Sequence, residues 1–125
     1  MLVGIGIDIV KIARMQSLIE SARVCRVFVE SEIQNAPIGC TRLAYFAKRF
    51  AAKEACAKAL GTGFSNYLSH TDIVVYKNTL GQPHIELSTQ SLSHFRRFYD
   101  SDICMHLSLS DEKEYAIAFV TVSTK

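Results

Sequence analysis

The sequence predicts an α+β domain in which a largely antiparallel sheet packs against one long central helix. Three observations carry that prediction. The chain opens on an apolar run, "MLVGIGIDIV", that reads as a first strand. The stretch "RFAAKEACAKALGTG" (49–63) is alanine-rich and ends at glycine, the composition of a helix with a clear stop. The second half holds short alternating segments separated by turn residues, the spacing of hairpins.

Residues 2–10 alternate weakly, with Gly4 and Gly6, and form the first strand. "IVKIARMQSLIESA" follows, where Ile9, Ile12, Ala13, Met15 and Leu18–Ile19 make a helical stripe and Lys11, Arg14 and Glu20 lie off it. "FVESEIQNAPIGC" reads as a short helix broken before Pro37, then a loop. The central helix starts around Thr41 and closes at Gly61–Thr62–Gly63. "DIVVYKNTLGQPHIEL" is two strands around a turn containing Gly81. Ser88 is placed to cap a helix carrying Leu92, Phe95 and Tyr99. "ICMHLSLSD" alternates strictly, "DEKEY" is a turn, and "YAIAFVTV" is the last strand.

A length of 125 residues with no composition break indicates one domain, 1–125, large enough to bury a core without staples. Hydrophobic residues make up 49%, which excludes disorder. No apolar run is long enough to cross a bilayer. The apolar N-terminus lacks a preceding basic segment and is interrupted by Asp8, so it reads as a strand rather than a signal peptide. Cys25, Cys40, Cys56 and Cys104 show no paired or metal-finger spacing, and buried, reduced thiols in a cytoplasmic protein are expected. The net charge of +2 is uneven: residues 1–60 carry a surplus of four positive charges, and residues 61–125 a surplus of two negative ones. The first half is therefore the one suited to meet an anion.

The central helix raises a question of its own. Why does a helix of small apolar residues also carry Arg49, Lys53, Glu54 and Lys58? At about 100° per residue, Arg49 and Lys53 fall in one line and Phe50, Glu54 and Lys58 in another. Glu54 then sits at the margin of the buried face, where a carboxylate needs a partner. An i,i+4 pair with Lys58 is the simpler reading. Asp8, late in an apolar strand behind "GIGI", widens the choice. It either caps the next helix or joins Glu54 in binding something. Two hard carboxylate ligands suit Mg²⁺, which takes one or two carboxylates together with waters and phosphate oxygens. The glycines of "GIGI" let another segment or a ligand approach closely.

"GIGIDIVKIAR" (4–14) and "RFAAKEACAKALGTG" (49–63) together resemble the bacterial holo-[acyl-carrier-protein] synthases, the 4'-phosphopantetheinyl transferases of the short, trimeric type. The shared pattern is a G-[IL]-D near the start, an Arg six residues later, and F-A-x-K-E-x-x-x-K-x-x-G. It is carried by Asp8, Arg14, Phe50, Ala51, Lys53, Glu54, Lys58 and Gly61. "GQP" (81–83) and "HLSLSDEKEYAIAFV" (106–120) extend the match over almost the whole chain. The resemblance implies a phosphopantetheinyl transferase-like fold and transfer of phosphopantetheine from coenzyme A to a serine of apo acyl carrier protein, in support of fatty acid biosynthesis. Adenosine 3',5'-bisphosphate is released.

On that resemblance Asp8 and Glu54 hold Mg²⁺, and Lys58 contacts the attacked phosphate. Arg49 lies near the 3'-phosphate, Gly61, Thr62 and Gly63 approach the nucleotide, Pro83 lines the adenine pocket, and Arg14 meets the carrier protein. Glu32 matches an acidic position near the metal, and Glu54, Glu32 or a metal-bound water is the general base. A homotrimer is implied, with no nucleic-acid or membrane partner. Two positions depart from the pattern: Asp111 stands where many relatives carry a nucleotide-contacting histidine, and Val29 where many carry threonine. Asp111 either is neutralised by a cation such as Arg49 or caps its own turn. His106, five residues earlier, points to the opposite face of its strand and reads as structural. Competing readings are a non-catalytic coenzyme A or nucleotide-binding module, which needs no pair of metal carboxylates, and a purely structural trimer subunit.

Overall fold

The computed structural model describes all residues, Met1–Lys125. The chain runs β1 (Leu2–Lys11), a 3-10 turn (Ile12–Arg14), α1 (Met15–Ile19), α2 (Val24–Val27), α3 (Glu30–Gln34) and α4 (Arg42–Leu60). A second 3-10 turn (His70–Asp72) leads to β2 (Ile73–Lys77) and β3 (Pro83–Leu87), followed by α5 (Thr89–Tyr99), β4 (Ile103–Asp111) and β5 (Tyr115–Thr124). All strand pairing is antiparallel, in a three-stranded sheet of order β1-β5-β4 and a separate β2-β3 hairpin.

The register explains how α4 meets the sheet. Gly6 lies opposite Val120, Asp8 opposite Ala118 and Val10 opposite Ala116. Across β5, Leu107 faces Val120 and Leu109 faces Ala118. This side is covered by Ala51, Ala52, Ala55, Cys56 and Ala59 of α4, all essentially buried with Ala116, Ala118, Val120 and Val122. Small side chains on both layers allow close approach. At β1 it is closer still: a Cβ at position 6 would sit 2.0 Å from the Ala55 carbonyl oxygen, and one at position 4 would sit 1.9 Å from that of Ala59. The segment that uses the gap left by "GIGI" is thus α4.

The other side of the sheet is bare. Ile5, Ile7 and Ile9 of β1 are about 60% exposed, and Ile117 and Phe119 of β5 about 40%. No element of this chain lies over them, because α5 packs against β3 and β4.

Several expected features stand. Gly61 ends α4 in the left-handed region at φ 83°, and Gly81 turns the β2-β3 hairpin at φ 81°. Ser88 caps α5, its Oγ accepting from Ser91 N. Asp72 ties the preceding loop to that cap by accepting from Ser88 Oγ at 2.7 Å and from Ser69 N at 2.8 Å. Burial pushes the Asp72 carboxyl up, and these hydrogen bonds outweigh it, holding it below the usual aspartate value.

Other features differ. The single helix expected after β1 is two pieces, and Ile9 belongs to the strand rather than to a helical stripe. Ser21 ends the first piece: its Oγ donates to the Leu18 carbonyl and accepts from Arg23 N, giving the backbone a turn in place of another helical rung. Val24–Val27 then forms its own short turn. The cysteines are all free, but only Cys56 is buried, with its thiol pushed up to about 12 by burial, while Cys25 and Cys40 are exposed.

The glycine contact makes a direct prediction. Gly6→Ala drives a methyl group into a helix carbonyl that cannot move alone, so it should cost about 3 kcal/mol, the upper end of ordinary overpacking. Urea unfolding measures it, and a variant as stable as the parent would mean that β1 and α4 are not locked at this distance.

Candidate active site

The charges of α4 divide into two groups with opposite fates. Lys53 is completely buried, and its ammonium uses all three donors: Glu32 Oε1 at 2.8 Å, the His70 carbonyl at 2.9 Å and the Ile73 carbonyl. Glu32 is equally buried. Its Oε1 also accepts from Val29 N and its Oε2 from Val75 N, each at 2.9 Å. Burial pushes the Lys53 ammonium below its usual value, and the Glu32 charge pulls it part of the way back. The pair staples α3, α4 and β2 together. Val29 leaves this helix start half capped: Glu32 reaches back to the cap N–H, but valine offers no oxygen in return.

This corrects the expectation that Glu32 stands near a metal site as a candidate base. Both its oxygens are claimed inside the protein, and the residue is only 1% exposed.

Glu54 and Lys58 turn the other way and, instead of pairing with each other, find separate partners. Lys58 Nζ donates to the Ile7 carbonyl at 2.9 Å and to Asp8 Oδ1 at 3.2 Å. Asp8 therefore caps no helix; it projects from the helix-facing side of β1 beside α4. Glu54 Oε1 lies 3.2 Å from His70 Nε2. Burial pushes the Asp8 carboxyl up; Lys58 lowers it by hydrogen bond and charge, the nearby Glu54 charge raises it, and Arg14 lowers it slightly, with a net upward shift. Asp8 and Glu54 thus feel each other electrostatically, and Lys58 does not fully offset the cost of placing them there.

The second oxygens, Asp8 Oδ2 and Glu54 Oε2, take no hydrogen bond from the protein. Two hard oxygens short of positive charge fit a divalent cation of the Mg²⁺ type. His70 beside Glu54 is taken up by Oε1, and the chain gathers no group of three or more metal-ligating side chains, so such an ion would complete its shell with water and phosphate oxygens.

Arg49 does not join this cluster. It is buried with its guanidinium 3.5 Å over the Tyr45 ring, and its Nε has no hydrogen-bond partner. Burial lowers its pKa. It lines a cavity of about 480 Å³ together with Asn35, Tyr45, Tyr76 and Lys77. Pro83 pairs with Lys77 in the hairpin and so lies at this cavity's end of the molecule rather than at Asp8. A buried guanidinium with an unused donor beside a lysine is equipped to receive an anion.

Asp111 takes the first of the two expected routes, a neighbouring cation, but that cation is Lys48, at 3.4 Å, and not Arg49; the hairpin turn is closed by the backbone through Glu112 N and the Tyr115 carbonyl. His106 lies on the face of β4 opposite to Asp111, as expected, and is exposed there. Gly61–Thr62–Gly63 follow α4, with Gly61 and Gly63 at positive φ and open space where a side chain would be. Arg14 lines a second cavity, of about 390 Å³, with Arg23, Arg26, Ser17, Phe50 and His70.

Sequence reasoning missed His70 as the Glu54 partner and Lys77 beside Arg49. Neither stands at a telling distance from its partner in the chain. A single test separates the structural lysine from its solvent-facing neighbours. Lys53→Met leaves Glu32 charged and buried, and should cost about 3–5 kcal/mol in urea unfolding. A loss below about 1 kcal/mol, the value of a surface pair, would contradict the buried role.

The family model described as the 4'-phosphopantetheinyl transferase superfamily matches residues 4–120. The holo-[acyl-carrier-protein] synthase of Wolbachia pipientis subsp. Culex pipiens is 41% identical over 98% of this chain and 98% of its own. Among solved structures, the Neisseria meningitidis holo-[acyl-carrier-protein] synthase superposes with a TM-score of 0.85 at 33% identity, covering 99% of this chain and 100% of that one. The Bacillus anthracis holo-(acyl-carrier-protein) synthase, in complex with CoA (3',5'-ADP), gives a TM-score of 0.83 at 35% identity, over 100% and 99% of the two chains.

Proposed function

The chain belongs to the 4'-phosphopantetheinyl transferase superfamily, among the holo-[acyl-carrier-protein] synthases, and from that membership we propose how its own residues perform the transfer. The substrates are coenzyme A and apo acyl carrier protein, and the product is the holo carrier protein used in fatty acid synthesis. The observation that carries this reading is the convergence of Asp8, Glu54 and Lys58, from a strand and a helix 46 or more residues apart, at one solvent-accessible point. A non-catalytic nucleotide-binding module has no use for two carboxylates held within electrostatic reach of each other.

Asp8 and Glu54 would hold Mg²⁺, which when bound would draw charge from the phosphoryl oxygens and the leaving phosphate. The chain does the rest. Lys58 is anchored on the Ile7 carbonyl with its side chain 57% exposed, so it can contact the attacked phosphate while still held by Asp8. The carrier serine Oγ forms a bond to phosphorus as the bond to the 3',5'-bisphosphate leaving group breaks. Glu54 receives the serine proton, directly or through water. Arg49 and its unused Nε take the 3'-phosphate, with Pro83 beside the adenine and the open Gly61–Gly63 backbone along the nucleotide. Asp111, held by Lys48, stays off that anion.

The carrier protein meets Lys11, Arg14, Arg23 and Arg26, all exposed and three of them around one cavity that ends at Phe50 and His70. An acidic partner docking there brings its serine toward Glu54. No helix is long and apolar enough to cross a membrane, and we place the reaction in the cytoplasm.

The bare sheet face supports a homotrimer. Val3, Ile5, Ile7, Ile9, Ile117 and Phe119 form one continuous apolar surface on adjacent strands, and a second copy of the same chain is the partner that supplies equal area in return. Three copies, as the family resemblance implies, place the nucleotide sites at subunit boundaries. Sedimentation should find a trimer, and Ile5→Glu should dissociate it with loss of transfer; an active monomer at working concentration would defeat the assembly.

Transfer itself is read by the mass shift of apo carrier protein incubated with the protein, coenzyme A and Mg²⁺. Asp8→Ala and Glu54→Ala should each keep their fold and lose about 10³-fold or more in rate, as expected for removal of several kcal/mol of Lewis-acid and charge stabilisation. Full rate in either variant, or in excess chelator, would exclude the metal pair.

A further inference from the structure

His70 is the one polar partner of Glu54, and the protein holds it from every side. Its carbonyl accepts from the buried Lys53 Nζ at 2.9 Å. Its backbone sits in the turn closed by Ser69 and Asp72, and Asp72 is tied onward to Ser88. Its ring stacks on Phe64, with centroids 3.9 Å apart and planes 20° apart, and on Phe50 at 5.7 Å with the same tilt. The ring edge presents Nε2 to Glu54 Oε1 at 3.2 Å. An ionised carboxylate only accepts, so Nε2 carries the hydrogen and donates it.

We propose that His70 is a positioning residue for the reaction: its imidazole fixes the Glu54 carboxylate so that Oε1 is occupied and Oε2 faces the cation and the reacting phosphate. Glu54 stands at the rim of α4 with its side chain about 29% exposed, and no other side chain restrains it. Free to rotate, it would present both oxygens to water and reach the cation in several geometries. The hydrogen bond selects one. It does for a carboxylate ligand what outer partners do for ligands generally, orienting the group that touches the metal. The sandwich also explains why the residue is a histidine set among aromatics: Phe50 and Phe64 fix the ring plane, and the ring plane fixes the donor.

The arrangement couples two adjacent residues of α4. Lys53 holds the histidine by its backbone, and Glu54 receives it by its ring. The buried ion pair thereby sets the position of an active-site side chain without touching substrate.

This inference rests on the metal reading above, so the test measures binding of the ion itself. Mn²⁺ replaces Mg²⁺, and free Mn²⁺ is counted by its paramagnetic resonance signal during titration of the intact protein with coenzyme A present. His70→Phe and His70→Met keep an apolar side chain between Phe50 and Phe64 but cannot donate. Each should bind Mn²⁺ about tenfold more weakly, the lower end of what loss of an outer-shell partner costs. His70→Gln, whose amide nitrogen reaches the position of Nε2, should restore the parent affinity. Thermal melts of the same samples confirm that the variants are folded. Equal Mn²⁺ affinity in the parent and the non-donating variants would overturn the positioning role alone. So would a glutamine variant as weak as the phenylalanine one. A parent protein that binds no Mn²⁺, or binds it equally well as Glu54→Gln, would overturn the metal reading and this inference together.

Discussion

Everything at this site depends on how closely β1 lies against α4. Gly4 and Gly6 put bare backbone against the carbonyl oxygens of Ala59 and Ala55, at distances that leave no room for a methyl group. The next residue on the same side of the strand is Asp8. Because the strand is clamped at positions 4 and 6, Asp8 emerges against Lys58 and within electrostatic reach of Glu54. A larger residue at position 6 would lift the strand from the helix and carry Asp8 with it. Alanine on the facing helix serves the same end, so the small residues that stabilise the packing also position the charged groups.

A second constraint works from the opposite flank of α4. Lys53 and Glu54 are neighbours in sequence, about 100° apart around the helix, and that angle separates core from solvent. Lys53 lands in a fully satisfied buried network with Glu32, and Glu54 lands at the rim. The network orders α3 and the turn at His70, and through His70 it reaches Glu54 again. Asp8 and Glu54 are thus braced by the glycine contact on one side and the buried pair on the other. The upward shift of the Asp8 carboxyl shows what this arrangement costs: burial and a like charge are tolerated where a cation and a phosphate would relieve them.

Local pattern revealed the elements it directly determines. Helical composition with a glycine stop located α4, strict alternation located β4, and Gly81 located the hairpin turn. Asp8, Glu54 and Lys58 stood out because charge in an apolar segment requires a reason. What escaped the sequence were pairings across the fold. Glu32 and Lys53 are 21 residues apart, and His70 and Glu54 are 16 apart; no periodicity relates them, so the resemblance alone marked Glu32, as a site residue, and nothing marked His70. The strand face was also hidden. In β1 the glycines and the aspartate point inward and the isoleucines outward, the reverse of the usual rule, because the helix fills the inner space by itself. No element of this chain covers the isoleucines.

The central claim is that the glycine-locked contact between β1 and α4 exists to place Asp8 and Glu54 around one divalent cation. The most direct measurement is anomalous X-ray diffraction at the manganese edge from crystals grown with coenzyme A and Mn²⁺. The account predicts a single strong peak per chain within coordinating distance of both Asp8 Oδ2 and Glu54 Oε2, with pyrophosphate oxygens completing the shell. A peak elsewhere, or bound coenzyme A with no metal between these two carboxylates, would contradict it.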